Sequence, residues 1–459
     1  MARSTRPLLA MALVCLAAIG SASGQIIVGD DPEDEPDPAT SLAGTHGAVR
    51  TDVDRPKPAY ALRERDRRVW ELRPFQPLVD AAPPGSTLRP PAGTYAGPVR
   101  VTKPLVIDGR GQVTIDAGGR GSVFSLETDH AVLRGLHLTG SGESYDTDDS
   151  CLDVRGHGNT VENLTIDDCL FGIDLKQSND NVVRGNRIRS KSLDVSMRGD
   201  GLRLWYSNGN RIEGNELTDS RDMVAWYSNH NVFRRNIGRR SRYSLHFMFS
   251  NDNLVEENRY YDNMVGVYLM YTERVHLRRN LVSHATGAAG MALGFKESSD
   301  SDIEDNDFIY CAIGVGSDLS PFQPGSSVRF RRNRFAYNGI GVHFTSDLGG
   351  NEFSDNVFEG NLSDVVQSGR GRSGLNQWRG NYFDTYAGFD RDGDGRGDTP
   401  HAEYAYADRI WIEMPVARFF RMTPVMELLD FLERLAPLSN PELQALDEEP
   451  RFRRPKAGV

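Results

Sequence analysis

Cysteine is scarce in this chain, which contains four cysteines in 459 residues. Cys15 lies in the N-terminal apolar run, which leaves Cys151, Cys169 and Cys311 for the rest of the chain. An odd and sparse set of this kind excludes a disulfide scaffold as the main support of the fold. The packing of apolar side chains therefore has to stabilise it.

An excess of basic residues is also missing. Lysine and arginine number 53 against 64 aspartates and glutamates, so the formal net charge is -11. The sequence has no basic cluster strong enough to follow a phosphate backbone, so no nucleic-acid partner is expected. Beyond the N-terminus no run approaches ~18 consecutive apolar residues, and no membrane span is expected either.

The two ends of the chain differ in composition from its centre. Residues 1–23 combine Arg3 and Arg6 with an apolar run and small residues, the pattern of a secretory signal peptide. Residues 24–58 are acidic and rich in proline, and they are predicted to be a solvated linker. Residues 438–459 have a similar composition and are predicted to be a disordered tail.

An asparagine-punctuated motif recurs through the centre of the chain, as in VRGNRI, IEGNEL and FRRNRF. The motifs are short β-branched or aromatic segments separated by Asn, Gly, Asp and Ser, and their spacing of ~20 to 30 residues is typical of stacked units. The pattern predicts an all-β fold, a right-handed parallel β-helix over residues 59–422. The motif asparagines are Asn163, Asn186, Asn215, Asn236, Asn258, Asn280, Asn306, Asn333, Asn356 and Asn381.

Five segments align without gaps: GLRLWYSN, DMVAWYSN, SLHFMFSN, GVYLMYTE and GMALGFKE, which begin at residues 201, 222, 244, 266 and 290. With a period of two, alternate positions are apolar and predicted to face the core. The outward positions then stack Met248 beside Met270, with His246 two residues away on the same face. Imidazole and two thioethers form a soft, uncharged donor set that suits Cu(I). These three residues are the candidate ligands of a transient Cu(I) site.

The same outward face supports two other hypotheses. Trp205, Trp226 and Tyr268 join the methionines in an apolar patch that fits the docking of another protein. A sugar-stacking platform is the third alternative. Docking and copper transfer are compatible, because a surface that hands over a metal must also bind the recipient.

The acidic run DRDGDGRGD places Asp390, Asp392, Asp394 and Asp398 at the first, third, fifth and ninth positions of a calcium loop. His401 occupies the twelfth position, where a bidentate glutamate is expected. The alternatives are a weak calcium site and a tight Asp-Gly turn without a metal.

Residues 423–437 read as a short amphipathic helix that begins at Thr423 and Pro424. Its apolar face is predicted to close the C-terminal end of the β-helix, which would otherwise expose strand edges. Docking to a membrane partner is the alternative.

A carbohydrate-active β-helix enzyme, such as a lyase, hydrolase or epimerase, is the competing functional class. Gly156-His157-Gly158 and the pair Asp167-Asp168 invite this interpretation, but their order is the reverse of the polygalacturonase pattern. Cys151 and Cys169 lie about one coil apart, and separate buried thiols are favoured over a bridge.

The opening APPGSTLRPPAGTYAG and the run GNYFDTYAGFDRDGDGRGDTPH, followed by RIWIEMP and a short helix, resemble the NosD family over residues 77–437. That family matures nitrous oxide reductase in the periplasm. The resemblance implies a periplasmic accessory protein without catalysis of its own. Its implied partners are the membrane and ATPase subunits of an ABC transporter, a copper chaperone and the apo reductase. Whether copper, sulfur or only a docking surface is supplied stays open, as does the stoichiometry.

Overall fold

The computed structural model describes residues 69, 71–287, 289–346, 348–368, 375–405, 423–435 and 442–455. The predicted signal peptide and linker lie outside these residues. In the described part the chain is a parallel β-helix, as predicted, with very little α-helix.

The strands are short because each covers one side of a coil. Up to the middle of the chain the elements are β1 (Arg73–Pro74), α1 (Gln76–Ala81), β2 (Thr87–Leu88), β3 (Gly93–Ala96), β4 (Val99–Val101), β5 (Val106–Asp116), β6 (Phe124–Leu126), β7 (Val132–Thr139), β8 (Ser150–Val154), β9 (Thr160–Glu162), β10 (Thr165–Cys169), β11 (Phe171–Lys176), β12 (Val182–Arg184), β13 (Arg187–Ser190), a 3₁₀ turn (Val195–Met197), β14 (Leu202–Trp205), β15 (Arg211–Glu213), β16 (Glu216–Thr218), β17 (Asp222–Trp226), β18 (Val232–Arg234), β19 (Ile237–Arg239) and β20 (Tyr243–Met248). The remaining elements are β21 (Leu254–Glu256), β22 (Arg259–Tyr261), β23 (Val265–Met270), β24 (His276–Arg278), β25 (Leu281–Ser283), β26 (Met291–Lys296), β27 (Asp302–Glu304), β28 (Asp307–Ile309), β29 (Ile313–Asp318), β30 (Val328–Arg331), β31 (Arg334–Ala336), β32 (Ile340–Phe344), β33 (Asn351–Ser354), β34 (Val357–Glu359), β35 (Ser363–Gln367), β36 (Gln377–Arg379), β37 (Tyr382–Phe383), β38 (His401–Ala405), α2 (Pro424–Leu435) and β39 (Glu442–Asp447).

Each regular coil contributes one strand to a separate twelve-stranded sheet and two strands to a second, larger sheet. The twelve-stranded sheet contains β4, β6, β8, β11, β14, β17, β20, β23, β26, β29, β32 and β35. We call its outer surface the twelve-stranded face. The larger sheet joins the other two sides of the coils, because the long strands β5 and β7 each run through both sides. We call its outer surfaces the joined faces.

A continuous ladder of buried asparagines explains the repeated motif. In each step the backbone N–H and side-chain Nδ2 of one asparagine both donate to Oδ1 of the next, as between Asn258 and Asn280 at 2.9 Å. The ladder runs from Asn186 through Asn381. Asn163 is not a member, because Leu164 occupies the ladder position and its N–H donates to Asn186. At this corner the buried amide groups are thus satisfied by side chains from the neighbouring coil.

The interior changes composition along the axis of the β-helix. Towards the C-terminal end aromatic rings stack coil upon coil: Phe330 lies on Phe353 at 4.4 Å between centroids, and Phe353 lies on Trp378 at 4.2 Å. A parallel column ends where His401 stacks on Phe383 at 4.1 Å. His401 therefore closes an internal ring stack.

The C-terminal segment that was predicted to be a disordered tail is ordered between residues 442 and 455. Strand β39 pairs with β38 and, through Asp447, with β36. The fully buried Asp447 carboxylate accepts from Asn381 N and Nδ2, both at 2.8 Å, and so takes the place of the next asparagine. This prediction was wrong because one carboxylate can end the ladder, which a composition-based reading does not reveal.

Helix α2 forms where it was predicted, but its apolar face does not close the coil. Val425, Leu428, Leu432 and Leu435 are all more than half exposed. In the described residues β39 covers the last coil instead. The helix is too short and too charged to cross a membrane, and no described helix meets that requirement.

Cys151 and Cys169 form a disulfide, contrary to the expectation of separate thiols. Their Cα atoms are 5.6 Å apart, within the usual range for a bridge. The bond joins β8 to the end of β10, two sides of the same early coil. Cys311 is a buried free thiol, and burial raises its pKa to about 11.

Candidate metal-binding face

The predicted column is present on the twelve-stranded face. Met248 is the register partner of Met270, and Trp226 is the partner of Met248 on the other side. Trp205 continues the column beside Trp226, and their rings meet edge to face with centroids 4.8 Å apart. The two methionines therefore lie on neighbouring strands, whose backbones are ~4.8 Å apart.

The candidate ligands face away from the core but are not exposed. Met248 and His246 each retain 7% of their surface and Met270 retains 3%, although none belongs to the hydrophobic core cluster. Trp205 and Trp226 are partly buried. The expectation of an open apolar patch is thus wrong for the methionines, and a shielded layer replaces it. Burial of this kind suits a metal that has to be kept from water.

A β-bulge reshapes the face at His246. Between β17 and β20 the register moves from Asp222 opposite Tyr243 to Val224 opposite His246, so β20 carries one extra residue. As a result Tyr243 and His246, three residues apart, lie side by side with ring centroids 4.8 Å apart. Bulges commonly re-aim side chains at functional sites.

The bulge places the Asp222 carboxylate beside the imidazole. Oδ2 of Asp222 lies 3.9 Å from Nδ1 of His246. The carboxylate accepts from Nη2 of Arg242 at 2.5 Å and from the backbone N–H of Tyr243 at 3.1 Å. Burial opposes the charge of this carboxylate, but Arg242 and His246 outweigh it and hold the pKa of Asp222 well below its usual range.

Two buried nitrogens on this face have no hydrogen-bond partner. They are Nε2 of His246 and Nε1 of Trp226. A buried polar atom without a partner costs free energy, commonly ~1 to 3 kcal/mol, and calls for an explanation such as an ion. Nε2 of His246 can serve as a metal ligand, whereas the indole N–H can only donate.

The gapless alignment fails at the fifth segment. Met270 lies opposite Lys296, and Tyr268 lies opposite Gly294, two residues away from the predicted register. The Tyr268 ring covers Gly294, since a Cβ there would come within 2.3 Å of it. Met291, which was predicted to point inward, instead places its sulfur close to Gly294. A third thioether therefore lies near this face, where the alignment had placed Met291 beside Val267 in an inward column.

A group of charged residues that the sequence did not predict adjoins the column. Asp174 is fully buried and accepts from Nε of Arg203 at 3.0 Å and from Nη2 of Arg203 at 2.7 Å. Asp200 lies near Asp222, and burial together with that neighbouring charge raises the pKa of Asp200 to about 6. Outward-pointing Asp and Arg on strands would ordinarily be read as solvated, so single residues carry little signal of such a cluster.

An aromatic ladder runs along the next position of the same strands. Tyr206, Tyr227, Phe249 and Tyr271 stack in order with centroids 4.8 to 5.0 Å apart and interplanar angles of 5 to 10°. Because the rings cover each other's faces, mainly their edges are left for a partner. Sugar rings bind to exposed aromatic faces, so this ladder offers little surface for them.

The acidic loop forms a compact group of carboxylates. Ligand atoms of Asp390, Asp392 and Asp394 lie within 4.8 Å of one another. Asp398 accepts from the backbone N–H of Arg391 at 2.6 Å. His401, at the twelfth position, stacks inside the coil and is 8% exposed, so it is poorly placed to complete a calcium loop.

The residues of the enzyme alternative serve local structure. His157 lies in a turn, where its N–H donates to Asp129 at 2.7 Å and its Nδ1 accepts from the N–H of Asn179 at 3.1 Å. Asp167 accepts from Thr139 at 2.6 Å and lies 3.0 Å from Nε2 of His137. These contacts give His157 a structural role in a turn and Asp167 a structural role in a strand.

Comparison with known proteins points to one family. A family model described as periplasmic copper-binding protein (NosD) matches residues 185–388, which contain the whole column from Trp205 to Met270. The "Probable ABC transporter binding protein NosD" of Pseudomonas aeruginosa is 27% identical over 395 residues, covering 80% of this chain and 88% of that protein. The protein of the same name from Stutzerimonas stutzeri is 25% identical over 405 residues, covering 80% and 87%.

Among solved structures, the A-module of mannuronan C-5 epimerase AlgE6 from Azotobacter vinelandii is similar. The likeness covers 66% of this chain and 91% of that one, with 15% identity and a TM-score of 0.48. A likeness at this level carries no information about chemistry.

Proposed function

Since the chain belongs to the NosD family, we propose that it binds Cu(I) transiently in the periplasm and passes it on during copper-centre assembly of nitrous oxide reductase. It acts by binding and docking, with no catalysis of its own. His246, Met248 and Met270 are the proposed ligands, and copper is the cargo.

The buried, unpartnered Nε2 of His246 carries this proposal. The methionine pair on neighbouring strands supplies two further soft donors on the same face. Neutral imidazole and thioether ligands favour Cu(I) over Mg²⁺, Ca²⁺ or Zn²⁺. A shielded site also keeps water away from a bound monovalent ion, which stabilises that oxidation state.

The partners proposed for this cargo are a copper chaperone as donor, the apo reductase as acceptor and an ABC transporter at the membrane. The partly buried rings of Trp205, Trp226 and Tyr268 border the methionines and would contact a donor or acceptor. Aromatic side chains of this kind are favoured anchors in protein interfaces. Copper would then pass over a short distance, because the docking rings and the ligands lie in two adjacent columns of the same face.

The test replaces Met248 and Met270 together by leucine. Leucine keeps the volume and the apolar character but removes both sulfur ligands, so folding should be nearly unchanged, at a cost below ~1.5 kcal/mol per site. We expect the double variant to lose Cu(I) affinity in a competition titration with a coloured Cu(I) chelator, and to leave the reductase short of copper. Wild-type Cu(I) affinity in the double variant would refute the ligand assignment.

Two variants control the test. Met223→Leu changes a methionine of the same sheet that is equally buried but belongs to the core, so Cu(I) affinity should stay as in the wild type. Trp226→Ala should instead weaken partner binding by ~2 kcal/mol or more, as expected for a truncated interface anchor. These two results separate metal binding from docking.

A further inference from the structure

The residues around His246 hold its imidazole ring in one orientation, which burial alone would not require. The bulge in β20 turns His246 towards Asp222, and without the extra residue Tyr243 and His246 would point to opposite sides of the sheet. The imidazole is then enclosed by the Tyr243 ring at 4.8 Å and the Tyr268 ring at 5.8 Å between centroids. Its orientation is fixed on three sides.

The Asp222 carboxylate is itself held rigidly. Oδ1 accepts from Nε of Arg242 at 3.2 Å and from the N–H of Tyr243 at 3.1 Å, and Oδ2 accepts from Nη2 of Arg242. Oδ2 is also the atom that faces Nδ1 of His246 at 3.9 Å. The carboxylate thus presents one charged edge to one nitrogen of the ring.

That arrangement distinguishes the two tautomers of a neutral imidazole. A neutral ring carries one proton, on Nδ1 or on Nε2. A proton on Nδ1 points towards the carboxylate and is stabilised by it, whereas a lone pair on Nδ1 would face a negative charge. The proton therefore belongs on Nδ1, which leaves the lone pair on Nε2, the nitrogen that has no partner.

We propose that Asp222, clamped by Arg242, is a positioning residue that holds His246 in its Nδ1–H tautomer so that the Nε2 lone pair is available to a soft monovalent cation. This inference rests on the proposed function for the identity of the cation, Cu(I). It adds two residues, Asp222 and Arg242, that act through His246 without touching the metal. A carboxylate behind a ligating histidine has this effect in many metal sites.

The tautomer can be read directly from the ¹⁵N shifts of histidine-labelled full-length protein near pH 8, where an ordinary imidazole is neutral. The His246 signals are assigned by their absence in His246→Gln. In the wild type we expect protonated Nδ1 and unprotonated Nε2. Finding Nε2 protonated in the wild type would overturn the inference without any need for a further variant.

Asp222→Asn then removes the charge but keeps the shape. We expect a shift towards the Nε2–H tautomer and a ~10- to 100-fold loss of Cu(I) affinity in the chelator titration. Asp174→Asn is the matched control, because Asp174 is another buried carboxylate paired with an arginine on the same face. It should leave the His246 tautomer and the Cu(I) affinity unchanged, even if both variants lose stability.

The outcomes separate the two proposals. If the His246 tautomer changes in Asp222→Asn but the wild type binds no Cu(I), the copper function is refuted and the positioning role is retained. If the wild type binds Cu(I) through Met248 and Met270 but the His246 tautomer stays the same in Asp222→Asn, the positioning role is refuted and the copper function is retained.

Discussion

The twelve-stranded face and the joined faces are built from the same repeat, yet they differ in the ion pair that lies beside the column from Trp205 to Met270. On the joined faces arginines pair with acids of neighbouring coils in contact with water, as Arg332 does with Asp305 at 2.8 Å. On the twelve-stranded face the pair of Asp222 and Arg242 is almost fully buried. Exposed pairs contribute ~0 to 1 kcal/mol, whereas burying a pair costs desolvation free energy. The β-helix needs only the first kind for solubility, so the second kind marks the face on which a function is to be sought.

The largest expected effect comes from breaking one pair of each kind. Arg242→Met leaves the buried Asp222 carboxylate without its cation and should destabilise the protein by ~3 to 5 kcal/mol. Arg332→Met removes an exposed pair and should cost ~1 kcal/mol or less. Thermal melting of the two variants beside the wild type measures the difference, and equal shifts would contradict the contrast between the faces.

A buried acid at the C-terminal end of the twelve-stranded sheet provides a pH test. Asp364, in β35, receives a hydrogen bond from Asn361 at 2.9 Å, and burial together with Glu403 and Asp384 raises its pKa to about 8. A raised folded-state pKa favours the neutral acid, so this contribution to stability is full below about pH 4 and is lost as the pH rises to 8.

Asp364→Asn imitates the neutral acid at every pH. The variant should therefore melt with the wild type near pH 4 and above it at pH 9, with a gain of the order of a few kcal/mol. Melting curves from pH 4 to 9 give the comparison. A constant difference over that range would mean that the Asp364 carboxyl is not neutral in the folded protein.

The smallest effect is expected at the acidic loop, where exposed carboxylates have backbone N–H groups as partners. If Asp390, Asp392 and Asp394 hold Ca²⁺ weakly, a chelator should lower the melting temperature of the wild type by a few degrees at most. Asp392→Ala, Asp394→Ala should not respond to the chelator. An equal response in both proteins would leave these residues as a metal-free Asp-Gly turn.

The sequence alone predicts the coil and the column but not their irregularities. The asparagine motif predicts the β-helix because a buried amide ladder needs one residue per coil, and the WYSN-like segments set the register from Trp205 to Met270 correctly. The bulge at β20 is invisible because it lies at the very start of the aligned segment, between Tyr243 and His246, and leaves the register from Val224 to Trp226 unchanged. The slip at Met291 follows from an alignment on Glu273 and Glu297, whereas Glu273 forms its bridge with Ser299. Residues that act through burial, such as Asp222 and Asp447, look like ordinary surface acids until the packing is known.

The end of the asparagine ladder has a consequence for how the chain stops. Every member accepts at Oδ1 from the coil before it and donates to Oδ1 of the coil after it, so the bonds that link one ladder residue to the next run in one direction. Asp447 accepts four N–H groups, from Gly380, Asn381, the Asn381 side chain and Glu449, and its carboxylate has no N–H to pass on. Asp447 therefore ends the ladder, because its side chain accepts from the coil before it but cannot donate to a coil after it. At this corner a further coil would meet a carboxylate where the repeat supplies an amide donor, which disfavours continuation of the ladder into a second molecule.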